Sequence, residues 1–276
     1  MKAKFSIPLA LVTARKKEAI ACAAAAALSL IGVATQAATV TLFDPSAVTG
    51  DTAAIATTAQ ADIGNGSWQA PPSKSSVYLT PAMLGLPVTT VGDLQSMSWN
   101  TYKTAADGAN DWYLTIYTAP TGSGDAAGWY HNRITFEARY ANSYSDPTDQ
   151  WVTWSTDSGP NQVTFYDDTS HGQTNTGFYG GPTLSDLTSG AVNWGNYANS
   201  GSAQTVDYSG DTIEFLTLQT GSGWSPAYQG YLDNLSVTTT GGSAQVDFEA
   251  VPEPASIALL GLAAAGIGML VTRRRR

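Results

Sequence analysis

Polar side chains at alternate positions form the group best suited to ligand chemistry. They are His131, Arg133, Thr135, Glu137 and Arg139, and in an unbroken β-strand alternate residues point to the same side of the sheet. A carboxylate between two guanidinium groups could hold a carboxylated or hydroxylated sugar through forked hydrogen bonds. The alternative is an outer sheet face whose cross-strand ion pairs contribute little to stability. We take His131, Arg133, Glu137 and Arg139 as candidate ligand-binding residues.

Three tryptophans beside Gly, Ser and Asn form a second candidate group: Trp129, Trp194 and Trp224. Pyranose C–H faces pack on flat rings, while neighbouring amides and hydroxyls bond the sugar hydroxyls. The alternative is ordinary core packing, which accounts for many large aromatic side chains. Trp112 and Trp154 are expected to be buried in this way.

Oxygen-bearing side chains near both ends of the predicted body could hold a structural Ca²⁺, a hard cation. Asp44 on the first strand and Asp233 with Asn234 near the last strand could meet, since terminal strands of a sandwich often neighbour each other. Asp247 and Glu249 are further donors. The sequence contains no DxDxDG loop, so the calcium site rests on these residues alone. Calcium is the one cofactor that we consider.

Signatures of the common hydrolases are missing from the sequence. The two histidines, His131 and His171, belong to no HExxH motif, and the chain has neither a GxSxG elbow nor an ExDxxE strand. Glu137 and Glu214 could serve as a glycosidase pair, but their spacing indicates nothing. We therefore predict that the protein is not an enzyme.

The body that must position these side chains, residues 38–250, has the pattern of an all-β protein. Short apolar runs alternate with clusters of Gly, Ser, Thr, Asn and Asp, which is typical of strands joined by turns. We predict an antiparallel two-sheet sandwich of the jelly-roll type. Several pairs or triplets are expected to point inward from their strands, namely Trp112, Leu114 and Ile116; Ile134 and Phe136; Ile213 and Phe215; Leu235 and Val237. The weakly patterned segment 51–61 is expected to be a loop or short helix.

The segment Gly230–Val237 (GYLDNLSV) resembles the final strand of many bacterial carbohydrate-binding jelly rolls. The resemblance covers about eight residues. It implies a sandwich that binds carbohydrate, with the Asp-Asn pair helping to hold a structural Ca²⁺.

Charge and cysteine content exclude several functions. Between residues 38 and 251 stand four basic residues and twenty acids, a net charge of −16, which repels nucleic-acid phosphates. The one cysteine, Cys22, lies in the predicted leader. The body therefore has no disulfide framework, catalytic thiolate or Cys-ligated zinc.

Residues 1–37 have the pattern of a signal peptide. A basic stretch up to Lys17 precedes an apolar run from Ala19 to Ala34, and Thr35-Gln36-Ala37 offers small residues for cleavage. We predict cleavage after Ala37 or Ala38. A retained membrane anchor is the alternative.

Residues 251–276 combine three features in order. Val251, Pro252, Glu253 and Pro254 form a stiff segment that does not join a helix. The apolar run Ala255–Thr272 is just long enough to cross a bilayer as a single helix. The basic cluster that follows would stay on the cytoplasmic side; it consists of Arg273, Arg274, Arg275 and Arg276.

This arrangement closely resembles the PEP-CTERM sorting signal of Gram-negative bacteria, over about the last twenty-six residues. The resemblance implies processing by an exosortase in the inner membrane and release to the cell surface or extracellular matrix, in organisms that make exopolysaccharide. We predict an exported protein whose sandwich binds carbohydrate such as biofilm exopolysaccharide. The alternatives are a structural or adhesion protein of the matrix, or a polysaccharide-modifying enzyme.

Overall fold

The computed structural model describes residues 38–104, 110–122, 128–141, 144–167, 180–197, 204–221, 228 and 230–250. The predicted signal peptide, residues 1–37, and the predicted sorting tail, residues 251–276, lie outside these ranges. Within the described ranges, no helix has the length and apolar character needed to cross a membrane.

Strands dominate these residues, as the sequence predicts. The strands are β1 Ala38–Leu42, β2 Ile55–Thr57, β3 Ser67–Gln69, β4 Ser76–Leu79, β5 Leu94–Lys103, β6 Tyr113–Thr118, β7 Arg133–Phe136, β8 Trp151–Ser155, β9 Phe165–Asp167, β10 Ala191–Asn193, β11 Thr205–Asp207, β12 Ile213–Gln219, β13 Gly230–Thr239 and β14 Gly242–Phe248. One short α-helix is described, α1 Leu184–Thr188, with 3₁₀ turns at Pro45–Val48, Val91–Asp93, Ala138–Tyr140 and Trp194–Asn196.

Seven strands form the larger sheet, called sheet A here. β13 pairs with β5 along one side, and with β14 and β3 along the other; β8 extends the sheet beyond β5 and β2 beyond β3. β1 pairs with β14 in parallel, so the prediction of a purely antiparallel sandwich is wrong at this edge. The first and last strands are neighbours, as predicted.

Five antiparallel strands form the second sheet, called sheet B, in the order β4-β12-β6-β7-β9. One face of each sheet contributes to a single apolar core. Two indole N–H groups bond backbone carbonyls across this core: Trp99 Nε1 donates to the Trp112 carbonyl at 3.0 Å, and Trp112 Nε1 donates to the Gly230 carbonyl at 3.1 Å. β10 and β11 form a separate hairpin.

Most of the predicted inward-pointing side chains are buried. Trp112, Leu114 and Ile116 are buried on one side of β6 and the residue before it, and Leu235 and Val237 are buried on β13. Two local expectations are wrong. A register shift between Ile213 and Phe215 sends these two side chains to opposite faces of sheet B, and the segment 51–61 contains strand β2.

The buried carboxylate of Asp111 directly precedes Trp112, whose indole bonds the Gly230 carbonyl across the core. Asp111 accepts hydrogen bonds from Thr101 Oγ1 at 3.0 Å, from the Trp112 backbone N–H at 2.9 Å and from the Tyr228 hydroxyl at 3.3 Å. Burial raises the pKa of Asp111 to about 6, although the charge of Lys103 and these three hydrogen bonds oppose the rise. The folded protein therefore holds a proton at pH values where the unfolded chain has released it.

Because the pKa of Asp111 is raised, we predict that the free energy of unfolding decreases as the pH rises. Between about pH 4 and pH 6 the folded state binds more protons than the unfolded chain, so the free energy of unfolding falls, by up to about 3 kcal/mol for Asp111. The pKa of Asp233 is also raised to about 6 and acts in the same direction. Denaturant titrations from pH 4 to pH 7 should show this slope, and Asp111→Asn should reduce it. An unchanged slope in the variant would contradict the assignment.

Candidate functional site

The face of sheet B that points away from the core presents a row of polar side chains across all five strands. Thr217 of β12 lies between Tyr78 and Thr115, and Thr115 lies beside Thr135, which in turn lies beside Tyr166. The row exists because alternate residues of each strand point to this face, while the residues between them enter the core. We call Thr115, Thr135 and Thr217 the threonine row.

Hydrogen bonds hold the threonine row in place only in part. Gln219 Nε2 donates to Thr115 Oγ1 at 2.8 Å, and the hydroxyls of Thr115 and Thr135 are 3.2 Å apart. Thr217 Oγ1 is buried and has no hydrogen-bond partner among the described residues. A buried hydroxyl without a partner costs free energy, so Thr217 is a less stable element of this face than Thr115 and Thr135.

A cleft of about 220 Å³ lies over this face. Of the seven described residues that line it, four carry hydroxyl groups, one carries an amide and two are cations. The residues are Tyr113, Tyr117, Thr135, Tyr166, Gln219, Lys74 and Arg133. We call it the cationic cleft. At its edge, the Tyr166 hydroxyl donates a short hydrogen bond to Glu137 Oε1.

Tyr117 connects the cationic cleft to a group of aromatic rings. Its ring stacks on Trp129 at a centroid distance of 5.2 Å and on Phe215 at 4.9 Å, and it meets Tyr130 edge-on at 5.3 Å. The indole of Trp129 is 51% exposed and lies almost parallel to the ring of Phe215, at 5°. We call Tyr117, Trp129, Tyr130 and Phe215 the aromatic ledge. Its Trp129 ring is exposed to solvent, stacks on other rings of the ledge, and lies beside the polar groups of the cationic cleft.

The predicted polar row is only partly formed. β7 ends at Phe136, and the 3₁₀ turn Ala138–Tyr140 follows, so the expectation of an unbroken strand from His131 to Arg139 is wrong. Arg133 and Glu137 remain on the face of the cationic cleft. Arg139 lies in the turn, 5.2 Å from the centre of the Tyr140 ring. His131 precedes the strand, with Nδ1 3.3 Å from the Thr121 hydroxyl.

The predicted tryptophans have different environments. Trp129 is exposed on the aromatic ledge, as a surface ligand site requires. Trp194 is fully buried: its Nε1 donates to the Tyr208 hydroxyl at 3.1 Å and its ring packs against Phe165. It belongs to the core because the 3₁₀ turn Trp194–Asn196 directs it inward. Trp224 lies outside the described residues.

Asp233, a predicted calcium ligand, has a clear structural role. Its Oδ2 accepts from the backbone N–H groups of Asp62 and Ile63, and its Oδ1 accepts from those of Asn234 and Phe248. Asn234 has a left-handed backbone (φ 52°) at the register shift of β13. The carboxylate thus fixes a loop, the irregular β13 and the end of β14 to one another.

Asp44 is exposed and accepts from Ser46 N at 2.9 Å at the start of a 3₁₀ turn. In the part of the chain that the structure describes, no three acidic or histidine side chains are grouped as a metal site would need. Asp247 and Glu249 are close enough for the Glu249 charge to raise the pKa of Asp247, after the larger effect of burial. A structural calcium ion at Asp44, Asp233 and Asn234 stays a prediction.

The fold and the site place the protein in a structural class: an all-β sandwich with an aromatic and polar surface on one sheet. The C-terminal tail shows how the protein is sorted. Residues 250–276 match the PEP-CTERM protein-sorting motif. The chain is therefore an exported protein that an exosortase, a membrane enzyme, sorts towards the cell surface. No curated protein sequence matches the chain.

The folded body continues up to this motif. The Glu249 backbone N–H donates to the Leu42 carbonyl at 2.9 Å, and Trp68 Nε1 donates to the Glu249 carbonyl at 3.0 Å. These contacts, and all of both sheets, belong to residues 38–250. Removal of the tail therefore leaves the described contacts of the sandwich in place.

Proposed function

We propose that the sandwich binds polysaccharide outside the cell, on the face of sheet B that carries the aromatic ledge and the cationic cleft. One observation carries the proposal: a half-exposed tryptophan, supported from below by Tyr117 and Phe215, borders a cleft lined by hydroxyl, amide and cationic groups. An exposed indole supplies the apolar surface on which a sugar ring packs. The cleft supplies donors and acceptors for its hydroxyls.

A second cleft, of about 330 Å³, runs beside β8 and contains Trp151, Gln150 and Asn161. It is larger and also aromatic. We favour the cationic cleft because it adjoins Trp129, which is more exposed than Trp151 and stacks on two other rings. It also contains two of the four cations of an acidic body. Separate variants of Trp129 and Trp151 distinguish the two surfaces.

The proposal is tested by equilibrium binding of the mature protein to a glycan panel that includes the exopolysaccharide of the producing bacterium. We expect saturable binding and no release of reducing sugar. Reducing-sugar release would instead favour the polysaccharide-modifying enzyme. If no glycan binds, with or without Ca²⁺, the carbohydrate proposal is wrong, and a structural or adhesion role in the matrix takes its place.

A further inference from the structure

The four cations of the body are distributed unequally. Lys103 is buried and paired with Asp146. Arg139 lies against the ring of Tyr140. The remaining two, Lys74 and Arg133, line the same cleft. In a body with a net charge of −16, this places half of the positive charge at a single small surface.

The lining of the cationic cleft favours an anion in other ways. No acid is among the seven described residues that line it. Asp51 pairs with Lys74 at 3.2 Å and also accepts from Ser76, and both members of this ion pair are partly exposed, so water and salt weaken it. Glu137 accepts from Tyr166. The hydroxyl of Tyr117, whose pKa burial raises, has Arg133 and Gln219 as hydrogen-bonding neighbours.

We infer that the cationic cleft takes a carboxylate-bearing sugar of the hexuronate type, and that Arg133 and Lys74 bind the carboxylate. The inference rests on the proposed binding of polysaccharide to this face. A guanidinium group matches the two oxygens of a carboxylate through a pair of parallel hydrogen bonds, whereas an ammonium group acts as a point charge. The continuous surface through Tyr117 lets one sugar pack on Trp129 while its neighbour places a carboxylate in the cleft.

An acidic polysaccharide is also the ligand for which local cations matter most. At long range the acidic body repels a polyuronate, and salt screens that repulsion over about 8–10 Å. Binding therefore depends on the short-range contacts in the cleft. A neutral glycan needs the aromatic ledge but gains little from Lys74 and Arg133.

The test compares polygalacturonate with its carboxyl-reduced form, using the mature protein at physiological salt. We expect polygalacturonate to bind about tenfold more tightly or better, as a charge-assisted contact predicts. Arg133→Gln should remove this preference, lowering the affinity for polygalacturonate to that for the reduced polymer. Arg133→Lys should keep part of it, because the charge remains and the fork is lost. The control Val88→Glu makes the same change in net charge at a residue that is 84% exposed, outside the cleft, and should keep the preference.

The outcomes separate this inference from the proposed function. Equal affinity for the two polymers, or a preference that survives Arg133→Gln, contradicts the carboxylate assignment and leaves glycan binding standing. Equally tight, Arg133-dependent binding of dextran sulfate contradicts it too, because the cleft would then accept any anion. Failure of every glycan to bind contradicts both. Thermal melting of each variant identifies any loss of fold.

Discussion

Asp233→Asn is expected to lower the free energy of unfolding at pH 7 by about 1–3 kcal/mol, because the lost hydrogen bonds outweigh the relief of a buried charge. The Asp233 carboxylate is fully buried and accepts four backbone N–H groups, from Asp62, Ile63, Asn234 and Phe248. An asparagine side chain has one oxygen, and its NH₂ group would face two of these donors. Buried donors would lose their acceptor, in a region where three segments meet: a loop, the irregular β13 and the end of β14.

Denaturant titration of the variant measures this loss. Asp157→Asn is the matched control, because it makes the same chemical change at an exposed position and should alter stability by less than about 0.5 kcal/mol. A loss below about 1 kcal/mol in Asp233→Asn would mean that the carboxylate does not hold the three segments together.

Trp129→Ala is expected to weaken glycan binding by about thirtyfold, or roughly 2 kcal/mol, the size of a central aromatic contact. The indole is the most exposed ring of the aromatic ledge, so its removal takes away the surface on which a sugar packs. Its exposure also limits the effect on folding, since exposed positions contribute less to stability.

Two further variants make the binding measurement specific. Phe43→Ala removes an exposed ring (42% exposed) that follows β1 of sheet A, and it should bind glycan as the parent does. Trp151→Ala alters the cleft beside β8 and should also bind normally. If Trp151→Ala rather than Trp129→Ala loses affinity, the glycan site lies along β8 and the assignment to sheet B is wrong.

The sequence predicts the inward faces of strands well, because burial produces alternation within a single strand. Trp112, Leu114 and Ile116 illustrate this: the pattern lies in five consecutive residues, and all three side chains are buried. The same reasoning fails at local irregularities. The register shift before Phe215 and the 3₁₀ turn after Phe136 each end the alternation, and neither has a distinctive residue pattern.

The candidate site depends on contacts between distant strands, which alternation does not reveal. Arg133 and Glu137 could be proposed from their own strand, but Lys74 and Tyr166 join them only through the strand order of sheet B. Of the threonine row, the sequence predicts only Thr135; Thr115 and Thr217 are not predicted, for the same reason. The members of the row lie on three strands, and a threonine in a strand is common.

The Asp-Asn pair resembles that of metal-holding jelly rolls, and the structure shows which backbone groups it binds. Asn234 adopts a left-handed conformation that asparagine tolerates better than most residues, and Asp233 binds the backbone groups that the irregular strand exposes. In this chain the Asp-Asn pair therefore coincides with the register shift of β13.

All of these functional arguments require that the sandwich acts outside the cytoplasm after the tail has been processed. Intact mass measurement of the protein recovered from the producing cells tests this most directly. We predict a chain that begins at Ala38 or Thr39 and ends near Pro252–Pro254, without the four terminal arginines, in the surface or extracellular fraction. Recovery of the complete chain from the cell interior would contradict export and sorting, and with them the binding of extracellular polysaccharide.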